Sequence, residues 1–180
     1  VLELDGELVE LDQAELGLRT GPDMRVVVGD ARVSLAEQPA GAADFVVGDA
    51  FGDLVVPWHL STREMAVQVR DAMKEGAIYA QNVIDYPPLH FIRAEVATVR
   101  DVFPHVALIG PPSGIAGEEG ANFVIVASAA PLPLAEIRAR MAQTVPGPVT
   151  MLDGAELAAF VDDARVLTDD YAPVDQLLSR

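Results

Sequence analysis

Asp44-Phe-Val-Val-Gly-Asp49-Ala-Phe-Gly-Asp53 decides how the rest of this chain is read. A short apolar run, Phe45 to Val47, ends in Gly48 and delivers Asp49, and a second carboxylate, Asp53, follows in a loop. Apolar runs of this length bounded by turn residues read as buried strands. In an open α/β sheet ligands bind beyond the carboxyl ends of the strands, so an acid delivered there marks a candidate site. The competing reading makes Asp49 a cap of the turn or helix that follows. The same arrangement, strand then acid, occurs twice earlier, at Val1–Asp5 and at Met24–Asp30. That recurrence favours a site.

Working outward, Gly6 to Leu16 has helical spacing, with Leu8, Leu11 and Leu16 on one face, Glu7, Glu10 and Glu15 on the other, and Gly17 closing it. Met24 to Val28 reads as a strand and the residues to Gln38 as a short helix, with a loop from Pro39 to Ala43. Thr62 to Lys74 is predicted helical, Ala77 to Ile84 a strand ended by Pro87-Pro88, and Phe91 to Phe103 a helix. His105 to Ile109 and Asn122 to Ala127, joined by the turn-rich Pro111 to Gly120, fit an antiparallel hairpin. Helices are expected at Leu134 to Gln143 and Gly154 to Asp162, then a polar tail. Strands alternating with helices call for an α/β fold: a mostly parallel sheet, helices on both faces, and a closing antiparallel hairpin. The 180 residues suit a single domain, 1–180.

Composition narrows the function. Half the residues are apolar, which argues against general disorder. A net charge of −16 argues against nucleic acid as a partner and is compatible with the attraction of small polycations. The absence of cysteine removes disulfides, thiol catalysis and thiolate metal sites, and His59, His90 and His105 have no metal-ligand spacing. No apolar run reaches the length of a membrane span, and no signal peptide is visible, so a cytoplasmic location is expected.

Three acids then end successive strands: Glu3 or Asp5, Asp30 and Asp49. Ends of neighbouring parallel strands form one rim, where such acids are expected to converge on a ligand. A carboxylate there can accept from vicinal ribose hydroxyls, another can accept from an adenine amino group, and a third stays available for chemistry or for a cation.

These residues resemble the spermidine synthase (polyamine aminopropyltransferase) family. The resemblance is carried by Val1-Leu-Glu-Leu-Asp-Gly-Glu-Leu-Val9, Val27-Val-Gly-Asp-Ala31, Asp44-Phe-Val-Val-Gly-Asp49 and Tyr79-Ala-Gln-Asn82. Val56-Pro-Trp-His-Leu-Ser61 and Leu167-Thr-Asp-Asp-Tyr-Ala-Pro-Val-Asp175 look like its bacterial spermidine synthase-like branch. The resemblance implies a Rossmann-like fold of the S-adenosylmethionine-methyltransferase type and aminopropyl transfer to a diamine such as putrescine. Decarboxylated S-adenosylmethionine would be the co-substrate, with no resident cofactor or metal. By position, Glu3 would bind ribose, Asp30 with Ala31 the adenine, and Asp49 would be the catalytic acid. Asp53 would help hold the diamine, and a homodimer is compatible with the family. Apart from the resemblance, Gln81 and Asn82 stand at a strand end suited either to polar ligand contacts, Gln81 to the amine, or to turn hydrogen bonds. Tyr171, flanked by Asp169, Asp170 and Asp175, is expected either to close over the amine site or to lie in a surface tail.

Two departures are visible. The family's glycine-rich nucleoside loop, its first strand and its amino-terminal β domain have no counterpart here, so the chain reads as the carboxyl-terminal part of a longer protein or a degenerate member. Weak or no catalysis is expected of these 180 residues alone, with a gap where the absent central strand would stand. Asp49-Ala-Phe-Gly-Asp53 replaces the family's Asp-Ser-x-Asp-Pro. An S-adenosylmethionine-dependent methyltransferase and a non-catalytic scaffold therefore remain alternatives.

Overall fold

The computed structural model describes residues 1–52 and 55–178. Asp53, an expected amine ligand, lies outside the described residues. The chain divides into two compact units that meet in sequence after Pro39.

In the first unit, β1 (Leu2–Glu3) and β2 (Val27–Val28) pair in parallel, Glu3 opposite Val28. Each strand leads into a helix through an aspartate. Asp5 caps α1 (Gly6–Glu15), its Oδ1 accepting from the amides of Glu7 and Leu8 at 2.9 and 3.1 Å. Asp30 caps α2 (Ala31–Ala36) in the same way, accepting from Arg32 and Val33. Gly17, at φ 76°, ends α1 as expected of a glycine just past a helix. The expected buried face of α1 is not realised: none of its residues is buried, and Leu11 is 55% exposed. The only buried residue of this unit is Ser34.

The second unit holds a five-stranded sheet in the order β3-β4-β6-β5-β7. Its strands are β3 (Ala43–Gly48), β4 (Met73–Asp85), β5 (His105–Gly110), β6 (Ala121–Ser128) and β7 (Thr150–Asp153). β3 and β4 are parallel; β4–β6, β6–β5 and β5–β7 are antiparallel. β3, β4 and β5 thus run one way, and the β5–β6 hairpin is the one expected. The fourth strand starts at Met73, so the preceding helix, α3 (Arg63–Ala72), is shorter than predicted. β7 is an addition: behind Pro146-Gly147-Pro148, four residues gave no periodicity to read. Among the described residues β1 pairs only with β2, and β3 only with β4, so the acids expected on one rim are carried by two sheets.

The core gathers around α4 (His90–Val102), which packs on α3, on β4 to β6, and on α7 (Gly154–Val161). Phe91, Ile92, Val96 and Val99 of α4 are buried, as are Phe123, Ile125 and Leu108 of the sheet it packs on. α4 has no side-chain cap at its flanking residue Leu89. Asp85 serves instead, from the end of β4: its carboxylate accepts from the amides of Tyr86 and Ile92 at 2.7 and 2.9 Å. Burial raises the Asp85 pKa, opposed by those amides, that of Phe91, and the nearby His90. The short α5 (Pro112–Ile115) sits in the β5–β6 connection, and α6 (Leu134–Thr144) and α8 (Val174–Leu177) complete the chain.

The tail is docked rather than loose. The Leu167 amide donates to Thr98 Oγ1 of α4 at 2.8 Å, both residues being buried, while the Thr98 hydroxyl donates to the Ala94 carbonyl. At the start of α3, the Thr62 hydroxyl donates to Asp169 and the Asp169 amide to Glu64. Replacing Thr98 by valine keeps the shape and leaves the Leu167 amide buried without an acceptor. Thr98→Val should lower the unfolding free energy by about 1–3 kcal/mol in urea titrations.

Candidate active site

The described structure bears first on whether Asp49 is a cap. No helix follows it; residues 49–51 are irregular. Asp49 Oδ1 accepts instead from the side-chain amide of Asn82 at 2.9 Å. The parallel register places Gly48 opposite Gln81, so Asp49, the first residue past β3, lies beside Asn82 within β4. The acid is exposed, and its Oδ1 is held by a neutral donor.

Strand alternation explains the partners. Along β4 the residues Tyr79, Gln81, Val83 and Asp85 are buried, while Ala80, Asn82 and Ile84 are only half-buried. Gln81 therefore faces α4, where its Nε2 donates to Glu95 Oε1 at 2.7 Å. It is 3% exposed, and the structure does not bring it to Asp49 as an amine ligand. The physical reason is the period of two: one residue along the strand is the opposite face of the sheet. Asn82 takes the place beside the acid.

Glu95 is the residue that sequence reasoning missed. It is 2% exposed, and its Oε2 has no hydrogen-bond partner among the described residues. Burial pushes its pKa up to about 8, against the opposing pull of the Gln81 amide. Tyr79, buried beside it, is raised as well, by desolvation first and by Glu95 second. The signal was present in the sequence: Phe91, Glu95 and Val99 recur at helical spacing on one stripe.

The loop after β3 borders a hollow of about 270 Å³ lined by Gly52, Val55, Pro57 and Trp58 together with Ala172 and Val174 of the tail. Trp58 is thus a wall residue, set edge-on to His59. Tyr171 lies elsewhere: it lines a separate hollow of about 300 Å³ with His90 and Arg93, under the Arg165 guanidinium at 3.6 Å. The tail reaches the loop through Ala172 and Val174, not through Tyr171. Among the described residues no cluster of His, Asp and Glu is arranged to hold a metal ion, and no helix is long and apolar enough to cross a membrane.

In the first unit Glu3 and Asp30 stand at the same end of paired strands. Glu3 Oε1 accepts from the Asp5 amide at 2.9 Å, and Asp30 with Ala31 opens α2. Their pairing follows from the two βα turns.

With this geometry in hand, known proteins supply the context. The sequence is 25% identical to a polyamine aminopropyltransferase of Vibrio vulnificus, over 98% of this chain and 60% of that protein. The fold superposes on a probable spermidine synthase of Corynebacterium glutamicum with a TM-score of 0.85 and 25% identity, covering 94% of this chain and 62% of the other. The resemblance is to the spermidine synthases. Human methyltransferase-like protein 13 shares the fold at a TM-score of 0.60 and 17% identity, over 97% of this chain and 76% of that one. The architecture is therefore Rossmann-like, of the S-adenosylmethionine-methyltransferase type. No family model matches the sequence. The chain spans about three-fifths of the length of the spermidine synthase-type relatives it matches.

Glu95 gives the site a measurable signature. In the unfolded chain it ionises near its ordinary 4.5, in the folded protein near 8. Between those values the unfolded chain gives up a proton that the folded protein keeps, so rising pH favours unfolding. The stability of the wild type relative to Glu95→Gln should fall by roughly 1 kcal/mol per pH unit across that window. Urea unfolding at a series of pH values measures the difference; a flat difference would place Glu95 in contact with water.

Proposed function

We propose that the protein transfers an aminopropyl group from decarboxylated S-adenosylmethionine to a diamine such as putrescine, with Asp49 as the proton acceptor. The observation that carries the reading is the Asp49–Asn82 pair. It presents a carboxylate just past the carboxyl end of β3, held by a neutral amide, in a loop whose Gly52 lines a hollow with an aromatic wall. The similarity to the Vibrio and Corynebacterium proteins supports it.

The chemistry suits a carboxylate. The amine nitrogen attacks the carbon beside the sulfonium; a C–N bond forms, the C–S bond breaks, and its electron pair returns to sulfur, releasing neutral methylthioadenosine. Aliphatic amines are mostly protonated at neutral pH, so a group that orients the amine and takes its proton lowers the barrier. Asp49 fills that role, and Asn82 fixes the carboxylate by occupying Oδ1. Glu3 takes the ribose hydroxyls, and Asp30 with Ala31 takes the adenine: Asp30 Oδ1 is engaged by α2 amides, and the Ala31 backbone stands at the start of that helix. Gln81 has no direct amine contact in this reading, because its amide is committed to Glu95. The charge of −16 raises the local concentration of a dication.

Asp49→Asn keeps the shape and the Asn82 contact but cannot accept a proton. Turnover of putrescine with decarboxylated S-adenosylmethionine should fall by about 10²–10⁴-fold, while the affinity for methylthioadenosine in calorimetry changes by less than about twofold. Equal loss of both would refute the role. Methyl transfer from S-adenosylmethionine without aminopropyl transfer would replace the reaction.

A further inference from the structure

On the face of β4 turned away from Asn82, a second polar contact ties the same level of β4 to α4. Gln81 lies opposite Gly48 in the register and donates to Glu95 Oε1. Glu95 stands midway along α4, in a helix whose neighbouring buried residues, Phe91, Ile92, Val96 and Val99, are apolar. A carboxyl group there is costly to desolvate, and an aliphatic side chain would fill the space without that cost. One of its oxygens lacks any partner among the described residues, so its contact with Gln81 is the feature that distinguishes it from a hydrophobic replacement.

The space above Gln81 is equally specific. A Cβ added at Gly48 would stand 2.8 Å from the Tyr79 hydroxyl and 3.4 Å from Gln81 Cγ. Tyr79 and Gln81 together thus form the floor under Gly48, the residue that precedes Asp49. If Gln81 lost its acceptor it would be left with a buried, unsatisfied amide and would turn away, opening that floor.

We infer that Glu95 is a positioning residue: by holding Gln81 beneath Gly48, it fixes the strand end that presents Asp49 to Asn82. Its role in turnover rests on the reading of Asp49 as proton acceptor; its role in geometry does not. Two bonds on opposite faces hold β4 at one level: Asn82 ties it to Asp49 past the end of β3, and Gln81 ties it to Glu95 of α4. Glu95 itself touches no substrate.

Three variants of the intact protein test this. Glu95→Leu removes the acceptor, Gln81→Met removes the donor, and Glu95→Gln keeps a carboxamide oxygen for Gln81. The side-chain amide resonances of Asn82 report the bond to Asp49 without any turnover. They should shift in Glu95→Leu and in Gln81→Met and stay at their wild-type positions in Glu95→Gln. In parallel, kcat for the amine should drop about tenfold in the first two, with KM changed by less than about twofold, because a misaligned reacting group costs rate rather than affinity. Should Glu95→Leu fail to fold, Gln81→Met makes the same cut from the other side. Unmoved Asn82 resonances in a folded Glu95→Leu or Gln81→Met overturn the inference, as does Glu95→Gln behaving like Glu95→Leu. Shifted resonances in a protein without aminopropyl transfer sustain the positioning role and overturn the functional reading instead.

Discussion

The parallel pairing of β3 on β4, in one register from Phe45 to Gly48, is the constraint on which the candidate site depends. With Gly48 opposite Gln81, the next residues out are an acid and an amide in contact, and the residue beneath is an amide bound to a buried acid. A slip of one residue would exchange the faces of every side chain on β4. Asn82 would then point at Glu95 and Gln81 at open solvent, and Asp49 would lose its partner. Gly48 guards the register, since the Tyr79 phenol occupies the space where any larger residue would put its Cβ. The site is built from backbone register first and from side chains second.

An acid after a strand turns out to have two meanings in this chain. Asp5, Asp30 and Asp85 all accept from amides at the start of the helix that follows their strand. A carboxylate near the positive end of a helix is stabilising, so a βα turn selects aspartate with no reference to any ligand. The recurrence that first drew attention to the strand ends is therefore largely a recurrence of caps. Asp49 is the exception, because no helix follows it. The feature that sets it apart, an irregular loop in place of a helix start, is set by the residues after it, Ala50-Phe-Gly52.

The same logic separates what the sequence disclosed from what it withheld. The strands β3 to β6 and the helices α3 and α4 are long and strongly patterned, and their positions follow from apolar spacing. The buried stripe expected on α1 fails because amphipathic spacing states only which residues share a face; whether that face meets a partner is decided by tertiary packing. Gln81 faces α4 rather than the strand-end loop because it shares parity with the buried Tyr79 and Val83, a stronger constraint than its nearness to a strand end. Glu95 went unread for a related reason: a charged residue within a helix is taken for its solvated face, although its spacing from Phe91 and Val99 puts it on the buried one. Polar residues inside a core break the rule that pattern reading relies on, and they do so where function is built.

The two units carry their proposed roles on different energetic footings. Asn82 and Gln81 stand on the sheet that packs against α4, with Asp49 just past its strand β3 and Glu95 on α4 itself; Phe91 and Ile92 of the helix and Phe123 of the sheet are fully buried. Close packing fixes the Gln81 and Glu95 side chains there, whereas Asp49 is exposed and is held by Asn82. Glu3 and Asp30 stand on a two-stranded ribbon with no buried apolar residue of its own. Such a ribbon is marginal by itself, and the turns at Glu3 and Asp30 are fixed chiefly by hydrogen bonds to neighbouring amides. A nucleoside gripped by those residues would spend part of its binding energy on ordering them. Gln81 and Glu95 are thus held by core packing and Glu3 and Asp30 by local hydrogen bonds, and the difference follows from how much apolar surface each pair of strands buries.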